Sequence, residues 1–126
     1  MNRNALQCSQ TILSRLSNVP IARNKPVLGS GNFIRESGTG IQYVMNDPLV
    51  MFATHPALFG RAGEVVLGKK SGKASIVYKM GELGLGEIDY KQAAIILKLV
   101  KQMGIEKRDT VLEKEFLAIV AEVLTV

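Results

Sequence analysis

The sequence predicts a mainly α-helical protein of two small subdomains, with at most a short β element and no (β/α)8 barrel. Three observations lead there. Apolar residues recur at helical spacing in several separate blocks. Prolines and glycines break the chain between those blocks, where helices have to stop. And 126 residues are too few for a barrel, which needs roughly 200. Hydrophobic residues make up 47% of the chain, enough to form a core and to exclude wholesale disorder.

The first block runs from about Asn4 to Asn18, where Leu6, Ile12, Leu13 and Leu16, with Ala5 and Cys8, form an apolar stripe. Asn4 and Gln7 have the spacing of a capping box, and Pro20 follows the end of the helix. "VPIARNKPVLGSG" holds two prolines and two glycines and reads as extended chain. A second helix is expected from Asn32, with Phe33, Ile34, Ile41, Val44 and Met45 apolar, stopping at Asn46-Asp47-Pro48. Gly38 and Gly40 inside it each cost about 1 kcal/mol against Ala, so they point to a bend or a close backbone approach. "LVMFATHPALFGRAGE" is apolar but interrupted by Pro56 and Gly60, and is expected to be loop with a short helical turn.

Glu64 to Leu67 reads as a short extended piece. A glycine-lysine turn then leads into a helix capped by Ser71, with Ile76, Val77, Met80 and Leu83 on its apolar face and Gly84 at its end. Asp89 with Gln92 caps a long helix whose face is Ala93, Ile96, Leu97, Val100 and Met103. Thr110 with Glu113 caps the last one, which shows Leu112, Phe116, Ile119, Val120 and Val123. The connection near Ala62-Gly63 divides a 1–62 segment of two helices and linkers from a 63–126 three-helix unit.

Charge and cysteine content narrow the function. The net charge is +5, and Arg3, Arg15, Arg23, Lys25 and Arg35 all precede the first acid, Glu36. Lys69, Lys70 and Lys73 form a second cluster. Such clusters attract phosphates or acidic partners, but no aromatic residue is interleaved with them to stack on bases, which argues against nucleic acid. A single cysteine excludes an internal disulfide and a multi-cysteine metal site, and Cys8 reads as a buried apolar residue. No window approaches the ~20 apolar residues of a membrane span, and no signal peptide is legible. Cytoplasm is the expected location.

Two stretches carry a family resemblance. "LSRLSNVPIARNKPVLGSGNFIRESGTG" resembles the segment after the barrel in the α-isopropylmalate, homocitrate and citramalate synthases, where an Asn-Lys turn leads to a His-Glu-Ser-Gly-Ile-His motif. "VVLGKKSGKASIVYKMGELG" resembles that family's LGKxSG element and the helix after it. The resemblance implies enzymes that join acetyl-CoA to a 2-oxo acid, using a divalent metal held in the barrel. This chain corresponds only to the subdomains that follow the barrel. The resemblance therefore implies an accessory subunit or fragment, without metal or cofactor of its own, that oligomerises and covers the active site of a barrel supplied elsewhere. A stand-alone binding module of the same fold is the alternative.

The resemblance also supplies candidate residues. Glu36, Ser37 and Gly38 keep the motif core, while Arg35 and Gly40 stand where the family has its two histidines, and Met51 where it has a tyrosine. Arg35, Glu36 and Ser37 are candidates for substrate binding, and Glu36, Tyr43 and His55, the sole histidine, for proton transfer. His55 equally reads as a turn residue before Pro56, and Tyr43 as a buried tyrosine. Lys69, Lys70, Ser71 and Lys73 at a helix N-terminus are candidates for CoA phosphates, or simply a capped, solvated turn. The turn is not a P-loop, because its first glycine is misplaced.

Overall fold

The computed structural model describes residues 4–125. Among these residues five α-helices and one two-stranded sheet form the framework, without a barrel. The elements are α1 (Asn4–Ser17), β1 (Ile34–Arg35), α2 (Ile41–Asn46), two 3-10 turns at Pro48–Val50 and Pro56–Phe59, β2 (Glu64–Val65), α3 (Lys73–Glu82), α4 (Tyr90–Lys107) and α5 (Glu113–Leu124). They divide into two compact units. Of the described residues, one holds 4–34 together with Val44–Glu64, and the other Arg35–Tyr43 together with 65–125.

The second unit has the larger core. Leu67, Ile76, Met80, Ile96, Val100, Val111, Phe116, Ile119 and Val120 are buried together. Each fully buried side chain of this size contributes roughly 1.5–3 kcal/mol of hydrophobic stabilisation. Helix α4 supplies Ala93, Ile96 and Val100 from one face and packs between α3 and α5. It starts as the sequence predicts: Asp89 Oδ1 accepts the Gln92 N–H at 2.6 Å, and Gln92 Oε1 accepts the Asp89 N–H at 2.9 Å. The two other starts differ. The N-cap of α3 is Gly72 rather than Ser71, with its N–H donated to Ser75 Oγ at 3.3 Å. The N-cap of α5 is Leu112 rather than Thr110, with Glu115 accepting the Leu112 N–H at 2.7 Å. The cause is tertiary. At the start of α5, Val111 donates its N–H to Leu67 C=O at 2.8 Å and buries its side chain, which holds the chain extended two residues longer. Val77 and Leu112, expected on apolar faces, are half exposed.

In the first unit, α1 packs against the Pro56–Phe59 turn. It ends at Ser17, and Asn18 takes a left-handed φ of 56° ahead of Pro20. The Asn4 and Gln7 side chains, read above as a capping box, lie outside the described residues, as do Arg3 and the Met45 side chain. Cys8 is exposed rather than buried, because the helix turns another face inward.

The helix expected from Asn32 does not form there. Phe33 has φ of 64°, Ile34–Arg35 is extended, and helix begins only at Ile41. Phe33 C=O accepts from the Glu64 N–H at 2.8 Å and Arg35 C=O from the Val66 N–H at 3.0 Å, the pattern of a parallel pair. Those carbonyls are committed to a strand about thirty residues away and are lost to any local helix.

Candidate functional site

The retained Glu-Ser-Gly motif and the Leu-Gly-Lys-Lys-Ser-Gly turn meet within the second unit. Ser71, 2% exposed, joins them through one hydroxyl. Its Oγ accepts the Gly68 N–H at 3.0 Å and donates to the Glu36 C=O at 3.3 Å. Glu36 Oε1 accepts the Lys70 N–H at 2.9 Å. Two glycines then allow backbone to lie on backbone: a Cβ on Gly38 would fall 2.5 Å from the Gly72 Cα and N. Gly68 is equally crowded, since a Cβ there would stand 2.6 Å from Glu36 Oε1. On its other side a Cβ on Gly104 of α4 would come within 3.1 Å of the Gly68 Cα. The result is a tight polar clasp between segments 36–38 and 68–72.

This geometry bears on the phosphate reading of the lysine turn. The Lys70 backbone N–H already holds an anion, the Glu36 carboxylate, and the Ser71 hydroxyl is used on both its donor and acceptor sides. The Lys69 and Lys70 side chains are exposed, while the Lys73 ammonium sits 3.3 Å from the centre of the Tyr90 ring, a cation–π contact.

The flanking candidates serve their own loop. Arg35 donates through Nη2 to the Thr39 C=O at 3.2 Å, and its buried Nε is the one such side-chain atom without a partner among the described residues. Ser37 Oγ accepts the Thr39 N–H at 3.3 Å. Tyr43 is 70% exposed rather than buried. The structure thus brings Glu36 and Ser71 together, with the Lys70 backbone, while the Lys73 ammonium meets Tyr90.

His55 belongs to the first unit. It caps the Pro56–Phe59 turn, its Nδ1 accepting the Ala57 N–H at 3.3 Å. With Val44, Pro48, Pro56 and Arg61 it lines a mostly apolar cavity of about 290 Å³.

The residue that the sequence reading missed is Arg61. Its guanidinium donates to four backbone carbonyls: Gly29 at 2.8 Å, Asn32 at 3.2 Å, Ser30 at 3.3 Å and Val27 at 3.4 Å. It also lies 5.2 Å from the Phe33 ring centre, and Phe33 packs edge-on against Phe52 at 5.5 Å. Val27 and Phe33 both hold positive φ, which costs a non-glycine residue roughly 1–2 kcal/mol each. Arg61 offsets that strain by satisfying the carbonyls the strained loop exposes. Its one sequence signal is an arginine in a glycine-rich turn that has no acid beside it.

Among the described residues no three His, Cys, Asp or Glu side chains gather as a metal ion would require. Among those residues, too, no helix is long and apolar enough to cross a membrane.

Comparison with known proteins gives the clasp its context. No family model matches the chain. It is 36% identical over 109 residues to a 2-isopropylmalate synthase of Listeria innocua, covering 84% of this chain and 21% of that enzyme. It is 31% identical over 104 residues to a probable 2-isopropylmalate synthase of Ignicoccus hospitalis, covering 82% and 26%. A third relative, an (R)-citramalate synthase of Methanocaldococcus jannaschii, is 30% identical over 112 residues, covering 89% and 22%. The chain spans about a fifth to a quarter of the length of the curated relatives it matches. It belongs with the 2-isopropylmalate and citramalate synthases, as a segment of that family without the catalytic barrel.

Proposed function

We propose that this chain is the non-barrel part of an acyl-CoA-dependent, Claisen-condensing acyltransferase of the cytoplasm. It mediates dimerisation and covers a barrel active site carried by another chain or by the rest of a longer polypeptide. The observation that carries this reading is the span of the match: more than four-fifths of the chain aligns with each of these three synthases, yet it accounts for about a quarter of them at most. The metal and acetyl-CoA belong to the barrel. This chain brings Arg35, Glu36 and Ser37 toward the substrate, on a segment held rigid by the Ser71 clasp, and His55 supplies the one imidazole available to replace the motif's two.

The test is purification of the tagged chain from its own cells, with mass spectrometry of what co-elutes. A barrel polypeptide homologous to these synthases should appear in fixed ratio, raise the melting temperature of the chain on mixing, and with it release CoA from acetyl-CoA and a 2-oxo acid. Elution of the chain alone, with no such shift at high concentration, defeats the reading. The loss of both motif histidines, at Arg35 and Gly40, favours a second reading, a binding module without catalysis. Calorimetric binding of CoA or a 2-oxo acid by the isolated chain would support that second reading instead.

A further inference from the structure

Helix α1 is mounted with its apolar side outward. Leu6, Gln10 and Ser14, one helical turn apart, form its half-buried face. The outward face carries Cys8, Ile12, Leu13 and Leu16, and Val19 follows the helix. Ile12 is 51%, Leu13 59%, Leu16 80% and Val19 63% exposed. A surface helix ordinarily does the reverse, burying its apolar stripe and showing its polar one. A contiguous exposed apolar ridge of this kind marks a contact surface.

Charge decides what covers it. At 3.6 residues per turn, Arg15 lies along the edge of the ridge beside Cys8. The chain as far as Arg35 carries five cations and no acid. Two copies meeting ridge to ridge would bring the Arg15 guanidiniums of both into one interface. A groove with an apolar floor and a rim of carboxylates fits both features. We propose that the outward face of α1 docks into such a groove on the barrel-bearing part that the relatives possess, whether another chain or the rest of a longer polypeptide. This inference rests on the function proposed above and adds the place of contact.

The sole cysteine gives a direct probe, because Cys8 sits on the ridge and is exposed. The full chain, tagged and labelled at Cys8 with a benzophenone maleimide, is mixed with extract of its own cells, irradiated, and its cross-linked peptides sequenced. The expected cross-link is to a polypeptide homologous to the remaining three-quarters of the synthases. The Leu13→Asp/Leu16→Asp variant, altered only at exposed positions, should keep the melting temperature of the chain and recover about tenfold less of that polypeptide, as loss of central apolar anchors does. Raising salt should also weaken recovery from the unaltered chain. Undiminished recovery by the variant overturns the proposal. So does a cross-link only to a second copy or to nothing, or sedimentation of the chain with phosphatidylglycerol vesicles. If a synthase-like polypeptide co-purifies but Cys8 does not reach it, the docking surface fails while the proposed function stands. If none co-purifies, both fail.

Discussion

Replacing Ser71 by alanine removes one oxygen atom and two hydrogen bonds from the second unit. The Gly68 N–H is left buried and unpaired, at a cost of roughly 1–3 kcal/mol, and the longer bond to the Glu36 C=O is worth about 0.5–1 kcal/mol. Ser71→Ala should therefore destabilise the protein by about 2–3 kcal/mol. In urea, with a slope of about 1–3 kcal/mol/M, the midpoint should fall by about 1 M. Lys70→Ala is the control. Lys70 serves the clasp through its backbone N–H, which alanine keeps, so the change should stay within about 0.5 kcal/mol. If Ser71→Ala proves as mild as that, or Lys70→Ala as damaging as the serine change, the clasp does not hold these segments.

Other perturbations separate further parts of the structure. Arg61→Lys should cost about 2 kcal/mol or more by denaturant melting, because a single ammonium cannot reproduce a planar fork that serves four carbonyls. Gly38→Ala should destabilise by about 1–3 kcal/mol through the backbone clash with Gly72, whereas Gly81→Ala, inside α3 with open space around its Cα, should stabilise by about 0.5–1 kcal/mol. Equal signs for the two glycine variants would refute this reading of the contact. The Lys107 ammonium and the Leu112 N–H hold the Glu115 carboxyl below its usual range. Its contribution is therefore present above the ordinary carboxylate range and lost as pH falls through the folded value. Glu115→Gln should lower the melting temperature at pH 7 and make no difference in acid; a gap that persists at pH 2 would show the stabilisation is not ionic.

Much of the second unit was legible in the sequence because its signals are local. The Asp89–Gln92 box and the Ala93, Ile96, Val100 stripe lie within one helix, and the structure keeps both. Phe116, Ile119 and Val120 of α5 are buried likewise. The errors fall where a distant partner outbids a local pattern. Thr110-Val111-Leu112-Glu113 has the form of a capping box, but Val111 is committed to Leu67. Ser71 has the chemistry of a cap, but its hydroxyl serves Gly68 and Glu36. Phe33 and Ile34 continue the helical spacing of Ile41 and Val44, but the backbone around them pairs with β2. For α1 the apolar stripe itself was read correctly and its orientation was not, because spacing identifies a face without saying which way it points. Of the candidate site, Glu36 and Ser71 were visible as residues, and their union was not. Nothing in either motif taken alone says that the two touch.

The two fastenings also cross in sequence. Arg61 closes back on Gly29, and Glu36 closes on Lys70, so the second loop begins inside the first and ends beyond it. Each loop spans about thirty residues, and closing one from an open chain costs about 3 kcal/mol in the length-dependent part of the entropy. Once either is shut, the path left for the other shrinks to about sixteen residues, which lowers its cost by about 0.7 kcal/mol. During synthesis, the arginine fastening becomes available about nine residues before the glutamate one. The N-terminal loop can thus be locked first as the chain emerges, and each latch makes its successor less costly to close.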